Sequence, residues 1–266
     1  MDLWESIILG IVQGLTEFLP VSSSGHIVLG EAILGAHSEE SLAFTVLVHF
    51  ATVLSTLIIF RQFIAETIRE LFVPRWNEAK DFALWVVISM LPVLVIGLFF
   101  KEEVEALFEG RLALVGGALL FTGTLLLVTL WAPKQAGTIT PMKAFLIGIA
   151  QAVAVIPGVS RSGSTIATGL LLGVDKGLMA RFSFLMVIPP ILGAMLMDTK
   201  DMVEQSQAGT LDIAITPLLG GFLAAFVTGL LACTWMIRIV QQGKLQYFAY
   251  YCFAVGAAAI GYTVMT

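Results

Sequence analysis

Charge is what this sequence has least of. Only 12% of its 266 residues are Asp, Glu, Lys or Arg, about half the share usual in soluble domains. A surface built for water is therefore excluded. Basic residues are the scarcer sign, 14 against 19 acidic for a net charge of −5, and no nucleic-acid partner is expected. Cysteine occurs twice. Cys233 and Cys252 have no metal-ligand spacing and read as packed apolar side chains. The N-terminus, MDLWES, has no basic region of the signal-peptide kind, so no cleavage is expected.

What fills the chain instead is hydrophobic, 58% of all residues with a mean hydropathy of +0.95. Residues 42–60, 82–100, 112–131, 182–197, 214–236 and 247–265 are apolar runs close to the roughly 20 residues that a membrane helix needs. They have almost no polar face, as helices of a soluble bundle would. An all-α integral membrane protein follows, a single membrane domain over 1–266.

Two stretches break the apolar pattern. Residues 10–25, GIVQGLTEFLPVSSSG, align without gaps to residues 148–163, GIAQAVAVIPGVSRSG, with seven of sixteen positions identical at a constant offset of 138. This reads as a duplicated unit, 1–133 and 134–266, each a polar-loop segment followed by three spans. In the first, Pro20 and the serines separate two short helices at 3–18 and 25–35, too short to cross. A re-entrant hairpin over about 3–35, and its counterpart over about 144–175, fits best; one kinked crossing is the alternative. With re-entrant hairpins each half crosses three times, so the halves insert with opposite topology. Charge agrees. Arg61, Arg69, Arg75 and Lys80, then Lys134 and Lys143, Lys176 and Arg181, and Arg238 and Lys244 all fall on one side, whereas KEEVEALFEGR and DTKDMVEQSQAGTLD are acidic. The positive-inside rule places the basic set in the cytoplasm and both termini outside. The expected architecture is six transmembrane helices plus two re-entrant helical hairpins in an inverted-topology repeat.

The polar loops carry the candidate chemistry. In inverted-repeat proteins the broken helices meet near the midplane and form the site there. Ser22, Ser23 and Ser24 precede one helix, and Ser160, Arg161 and Ser162 another. Helix N-termini bind anions through free N–H groups and the dipole, and a guanidinium adds a planar fork for phosphate oxygens. Gln13 and Glu17 are four residues apart and share a helix face, with Glu17 suited to be a general base or a cation ligand. His26 lies three residues beyond Ser23 and is a candidate for activating its hydroxyl. His49, an intramembrane histidine, either lines the same cavity or packs.

These residues resemble the undecaprenyl-diphosphate phosphatases, the bacitracin-resistance family of bacterial membrane proteins. The likeness covers the whole chain in length and layout. It centres on QGLTEFLPVSSSGH, similar to the family's (E/Q)xxxE element with its PVSS-[ST]-GH extension, and on PGVSRSGST, similar to its PGxSRSxxT element. The resemblance implies hydrolysis of the C55 isoprenoid diphosphate to its monophosphate, which recycles the lipid carrier for cell-wall synthesis. It also implies a divalent cation, Mg or Ca, with Glu17 a candidate ligand, and a site opening to the outer side of the bacterial inner membrane. Position by position it gives Glu17 as the functional carboxylate, Ser23 as nucleophile, His26 and Arg161 as partners, and Ser160 and Thr165 as hydroxyl contacts. Gln13 stands where many members have a second glutamate, which weakens any mechanism that needs two carboxylates. A polyprenyl-phosphate flippase or transporter is the alternative function, since inverted repeats also serve alternating access. The sequence leaves the oligomeric state open, a homodimer included.

Overall fold

In the computed structural model, residues 2–34, 41–107, 112–207 and 215–265 are described. Among them the chain is all-helical apart from turns, short connections and one isolated bridge between Gly137 and Val174. The helices are α1 (Leu3–Phe18), α2 (Ser23–Leu34), α3 (Ser41–Ile59), α4 (Arg61–Leu71), α5 (Glu78–Phe99), α6 (Lys101–Glu105) and α7 (Leu112–Val128) in the first half. The second half holds α8 (Pro141–Val153), α9 (Arg161–Leu171), α10 (Lys176–Met186), α11 (Ile188–Gln207), α12 (Ile215–Gln242) and α13 (Gln246–Met265). Among the described residues five stretches are long and apolar enough to cross a membrane, and six if the pair Ala43–Ile59 and Arg61–Leu71, bent by 73°, is one broken span.

Local chemistry sets several boundaries. Asp2 and Glu5 form a capping box on α1: the Glu5 N–H donates to Asp2 Oδ1 at 2.7 Å and the Asp2 N–H to Glu5 Oε2 at 2.8 Å. Asn77 caps α5 through the Lys80 N–H, and Thr140 caps α8 ahead of Pro141, whose missing N–H costs nothing at a first helical position. The side chain that α5 buries is Ser89, while Val87, Leu91, Val95 and Leu98 lie exposed along it. An apolar face of that kind is a lipid-facing surface.

The helices pair across the two halves. α1 packs on α12 and α8 on α5, and α7 packs along α13. Small residues allow these close approaches, as is usual between membrane helices. Gly10 meets the backbone of Gly221, and Gly148 meets that of Ser89. Any side chain at either glycine would collide with a neighbouring main chain.

Three features depart from the sequence reading. The stretch 61–81 is not a plain loop, because Arg61–Leu71 forms α4, whose charged residues hid an amphipathic stripe that sets Phe63 against Phe82. The run expected at 182–197 belongs to a longer stretch, Lys176–Lys200, broken at Val187 between α10 and α11. The acidic segment 198–212 is helical through Gln207, and the rest of it lies outside the described residues.

Candidate functional site

Each hairpin turns at a serine that caps the following helix. Ser22 Oγ accepts from the Gly25 N–H at 3.3 Å, and Ser160 Oγ accepts from the Gly163 N–H at 3.1 Å. These are the same positions of the two aligned segments. Ser22 has φ +71°, the left-handed value among described residues other than glycine, and such a conformation costs on the order of 1–3 kcal/mol, which surrounding structure must hold. The tips touch. A Cβ on Gly25 would lie 2.9 Å from Gly158 Cα, and one on Gly163 would lie 3.2 Å from Pro20 Cβ. Ser162 Oγ donates to the Leu19 carbonyl at 3.2 Å. The turn carbonyls are held alike from outside the hairpins: Thr122 of α7 donates to Gly158 O at 3.2 Å, and Cys252 of α13 to Pro20 O at 3.7 Å.

Glu17, at the end of α1, is the hub. Its side chain is 5% exposed and its Oε1 is ion-paired with the Arg161 guanidinium. Its Oε2 accepts from Ser23 Oγ at 2.6 Å and from Gln13 Nε2 at 3.0 Å, and His49 Nε2 stands 3.9 Å away. A buried carboxylate and guanidinium are each costly alone, so removing either strands the other. The Arg161 side chain turns inward to Glu17. Chemically, a hydroxyl that already donates to a carboxylate has its proton acceptor in place.

A cavity of about 330 Å³ opens beside this group. One end is polar, lined by Glu17, Ser22, Ser23, Ser24, Ser160 and Arg161, with His49 and Asp198 nearby; Val46, Val93, Val155, Pro190, Ile191 and Met195 make an apolar wall. Two helix N-termini, those of α2 and α9, thus meet at one end of a greasy trough. Anion at one end and hydrocarbon at the other is the ligand this space suits.

The remaining sequence candidates fall differently. Gln13 does not line the cavity; it is wholly buried behind Glu17 and orients the carboxylate. Ser162 is engaged with Leu19 and Ser160 and reaches a smaller void beside Glu17 and Arg161. Thr165 stands behind the site, its Oγ1 2.6 Å from Ser183 Oγ. His26 does not meet Ser23. Its Nδ1 lies 2.7 Å from the Ser22 carbonyl and its Nε2 2.8 Å from Tyr251 Oη, with the two rings stacked. A carbonyl only accepts, so Nδ1 carries the proton and Nε2 accepts from the Tyr251 hydroxyl. His26 thereby fixes the carbonyl of the left-handed Ser22 and holds the tip against α13. Thr16, Thr45, Gln151 and Asp198 also line the cavity and were not singled out in the sequence. Only Gln151 had a signal there, as the aligned counterpart of Gln13.

Among the described residues an all-helical chain with several apolar, membrane-length helices joins two serine-tipped helix N-termini, a carboxylate and a guanidinium beside a cavity with an apolar wall, which is the class of a multi-pass membrane protein. Comparison with known proteins gives the family. The family model described as bacitracin resistance protein BacA matches residues 6–258, and the chain belongs to that family. It is 53% identical over 262 residues to the Undecaprenyl-diphosphatase of Bacteroides fragilis (strain YCH46), covering 98% of both chains. It is 52% identical over 267 residues to that of Parabacteroides distasonis, covering 100% of both. With the Undecaprenyl-diphosphatase of Methanobrevibacter smithii the identity is 39% over 273 residues, covering 96% of both.

Proposed function

We propose that this protein hydrolyses undecaprenyl diphosphate to undecaprenyl phosphate and inorganic phosphate, recycling the lipid carrier of peptidoglycan synthesis and conferring bacitracin resistance. The observation that carries this reading is the bond from Ser23 Oγ to Glu17 beside Arg161, at the polar end of an apolar cavity. Relatives of full length named Undecaprenyl-diphosphatase supply the substrate.

In this mechanism the prenyl chain lies along the apolar wall and the diphosphate sits against the α2 and α9 N-termini. Arg161 turns from Glu17 to the phosphate oxygens, freeing the carboxylate to take the Ser23 proton as Oγ attacks the terminal phosphorus. The Oγ–P bond forms as the bond to the bridging oxygen breaks, and undecaprenyl phosphate leaves with that oxygen and its electron pair. Glu17, its proton passed to the departing phosphate, then takes one from water as the water oxygen attacks the phosphoserine; the P–Oγ bond breaks, Glu17 returns the proton to Ser23 Oγ, and inorganic phosphate leaves. N–H groups and guanidinium stabilise the charge that builds on the transferring phosphoryl group. The competing arrangement has Glu17 activate water directly, with Ser23 only binding phosphate.

A divalent cation fits the donors present. Among the described residues no three His, Cys, Asp or Glu side chains form a metal cage. Glu17 and Ser23, which line the cavity, are hard oxygen donors, the kind that Mg²⁺ or Ca²⁺ takes together with substrate phosphates. Glu17 would hold such an ion, which when bound would neutralise charge on the diphosphate. Purified protein in detergent, with no gradient, is expected to release phosphate from a polyprenyl diphosphate and to lose that activity with chelator. Transport without hydrolysis would give no phosphate, and the flippase reading would replace this one.

The architecture is read as six spans plus two re-entrant hairpins, α1–α2 and α8–α9, in inverted repeats. The exchanged pairings support it: α1 on α12 is answered by α8 on α5, Gly25 on Gly158 by Gly163 on Pro20, and Thr122 to Gly158 by Cys252 to Pro20. The basic 61–81 segment then faces the cytoplasm of a bacterial inner membrane. The cavity, bounded by the early part of α3, the late part of α5 and Asp198 on α11, opens outward. Cysteines placed at Ser38, which lies outside the described residues, and at Asn77 are expected to label from opposite sides. Labelling from one side would overturn the inverted arrangement.

A further inference from the structure

Gln151 has no role in the mechanism above, yet it is the least satisfied polar side chain at the site. It is 2% exposed, and both its Nε2 and its Oε1 are buried without a hydrogen-bond partner. It lines the cavity together with Arg161, Ser160 and Ser23. Buried amides are nearly always paired in native proteins, and an exception calls for a partner that protein atoms do not supply.

The repeat indicates what that partner is. Gln151 occupies the position in GIAQAVAV that Gln13 occupies in GIVQGLTE. In the first half Gln13 Nε2 donates to a carboxylate oxygen of Glu17, one turn further along α1. In the second half the residue one turn along is Val155, which also lines the cavity. The amide is retained and its anion is not. The geometry points to Gln151 as an oxyanion-binding residue, whose Nε2 donates to a non-bridging phosphate oxygen held in the cavity where the second half lacks a carboxylate. Naming that oxyanion as part of a prenyl diphosphate rests on the phosphatase reading; the oxyanion site itself does not.

The arrangement gives the ligand a contact from each hairpin. Ser23 and Arg161, also aligned with one another, approach it from the two tips, and Gln151 approaches from the shaft of α8. An uncharged donor there adds a hydrogen bond without another cation, so it reads the position of the oxygen more than its charge.

The test uses Gln151→Leu, which removes the amide and keeps much of the volume, and Gln151→Glu, which sets a carboxylate toward the ligand. Full-length protein in detergent is assayed for polyprenyl-diphosphate hydrolysis. Thermal unfolding is followed with and without inorganic pyrophosphate. Without ligand, Gln151→Leu is expected to unfold at or above the wild-type temperature, because the amide has no protein partner to lose. Pyrophosphate is expected to raise the wild-type midpoint and to have little effect on the variant. The KM of Gln151→Leu is expected to rise about tenfold or more with kcat changed less, and Gln151→Glu to be weaker still. A lower midpoint without ligand, with KM and pyrophosphate protection kept, would show a packing residue and overturn the inference. Absence of pyrophosphate protection in the wild type would overturn it too. If the wild type releases no phosphate while pyrophosphate still protects it and not Gln151→Leu, the oxyanion site stands and the phosphatase reading falls.

Discussion

Ser23→Ala is expected to reduce turnover far more than a hundredfold, and rapid quenching of the wild type is expected to trap a phosphoserine at position 23. Losing a single phosphate contact costs only about 1–3 kcal/mol, roughly ten- to a hundredfold in rate. Losing the attacking atom leaves no comparable path. Ser23 is placed for attack by its 2.6 Å bond to Glu17 Oε2 and by its position at the first turn of α2, where backbone N–H groups are free of intrahelical partners. In the proposed mechanism the proton acceptor is then Glu17 and not His26, since the histidine ring is committed to Ser22 and Tyr251. If Ser23→Ala kept a tenth of its activity and no phosphoserine were found, water would be the nucleophile and Ser23 a phosphate ligand.

Arg161→Lys is expected to lose most activity, by a hundredfold or more in kcat/KM, while the protein still inserts and folds. Lysine keeps a positive charge within reach of Glu17, so the carboxylate is not left unpaired in a dry site. It cannot, however, present two parallel N–H donors to a phosphoryl group. The variant therefore separates neutralising Glu17 from gripping phosphate. Yield and thermal midpoint near wild type together with low kcat/KM would support bidentate recognition. Near-normal turnover would reduce Arg161 to a bulk electrostatic role.

The short helices on either side of each polar turn and most of the apolar helices were legible because they rest on local signals. Pro20 and the serines interrupt a helix, the aligned segments fix a register, and long apolar runs have few other uses. α4 was hidden because Arg61, Glu66, Arg69 and Glu70 crowd an eleven-residue helix, so a search for unbroken apolar runs passes over it. Asp198 opens an acidic segment in the sequence, and it reaches the cavity because α11 continues past the apolar run. His26 shows the limit of spacing arguments. Three residues beyond Ser23 on a helix is close, but the partner that turns its ring, Tyr251, comes from the far end of the chain. No local pattern encodes such a contact.

The pairing of Glu17 with Arg161 also has a consequence for how the protein is made. More than half the chain separates the two residues, so at about 5–20 residues per second the carboxylate waits roughly 7–30 seconds for its cation. Throughout that interval the acidic group lacks the guanidinium with which it pairs in the folded chain. What it does have are Gln13 and Ser23, both in the same hairpin and both donating to Oε2. Gln13 is thus a local partner, within reach of the acid as soon as the first helix forms, whereas the guanidinium can come only once the second half is synthesised.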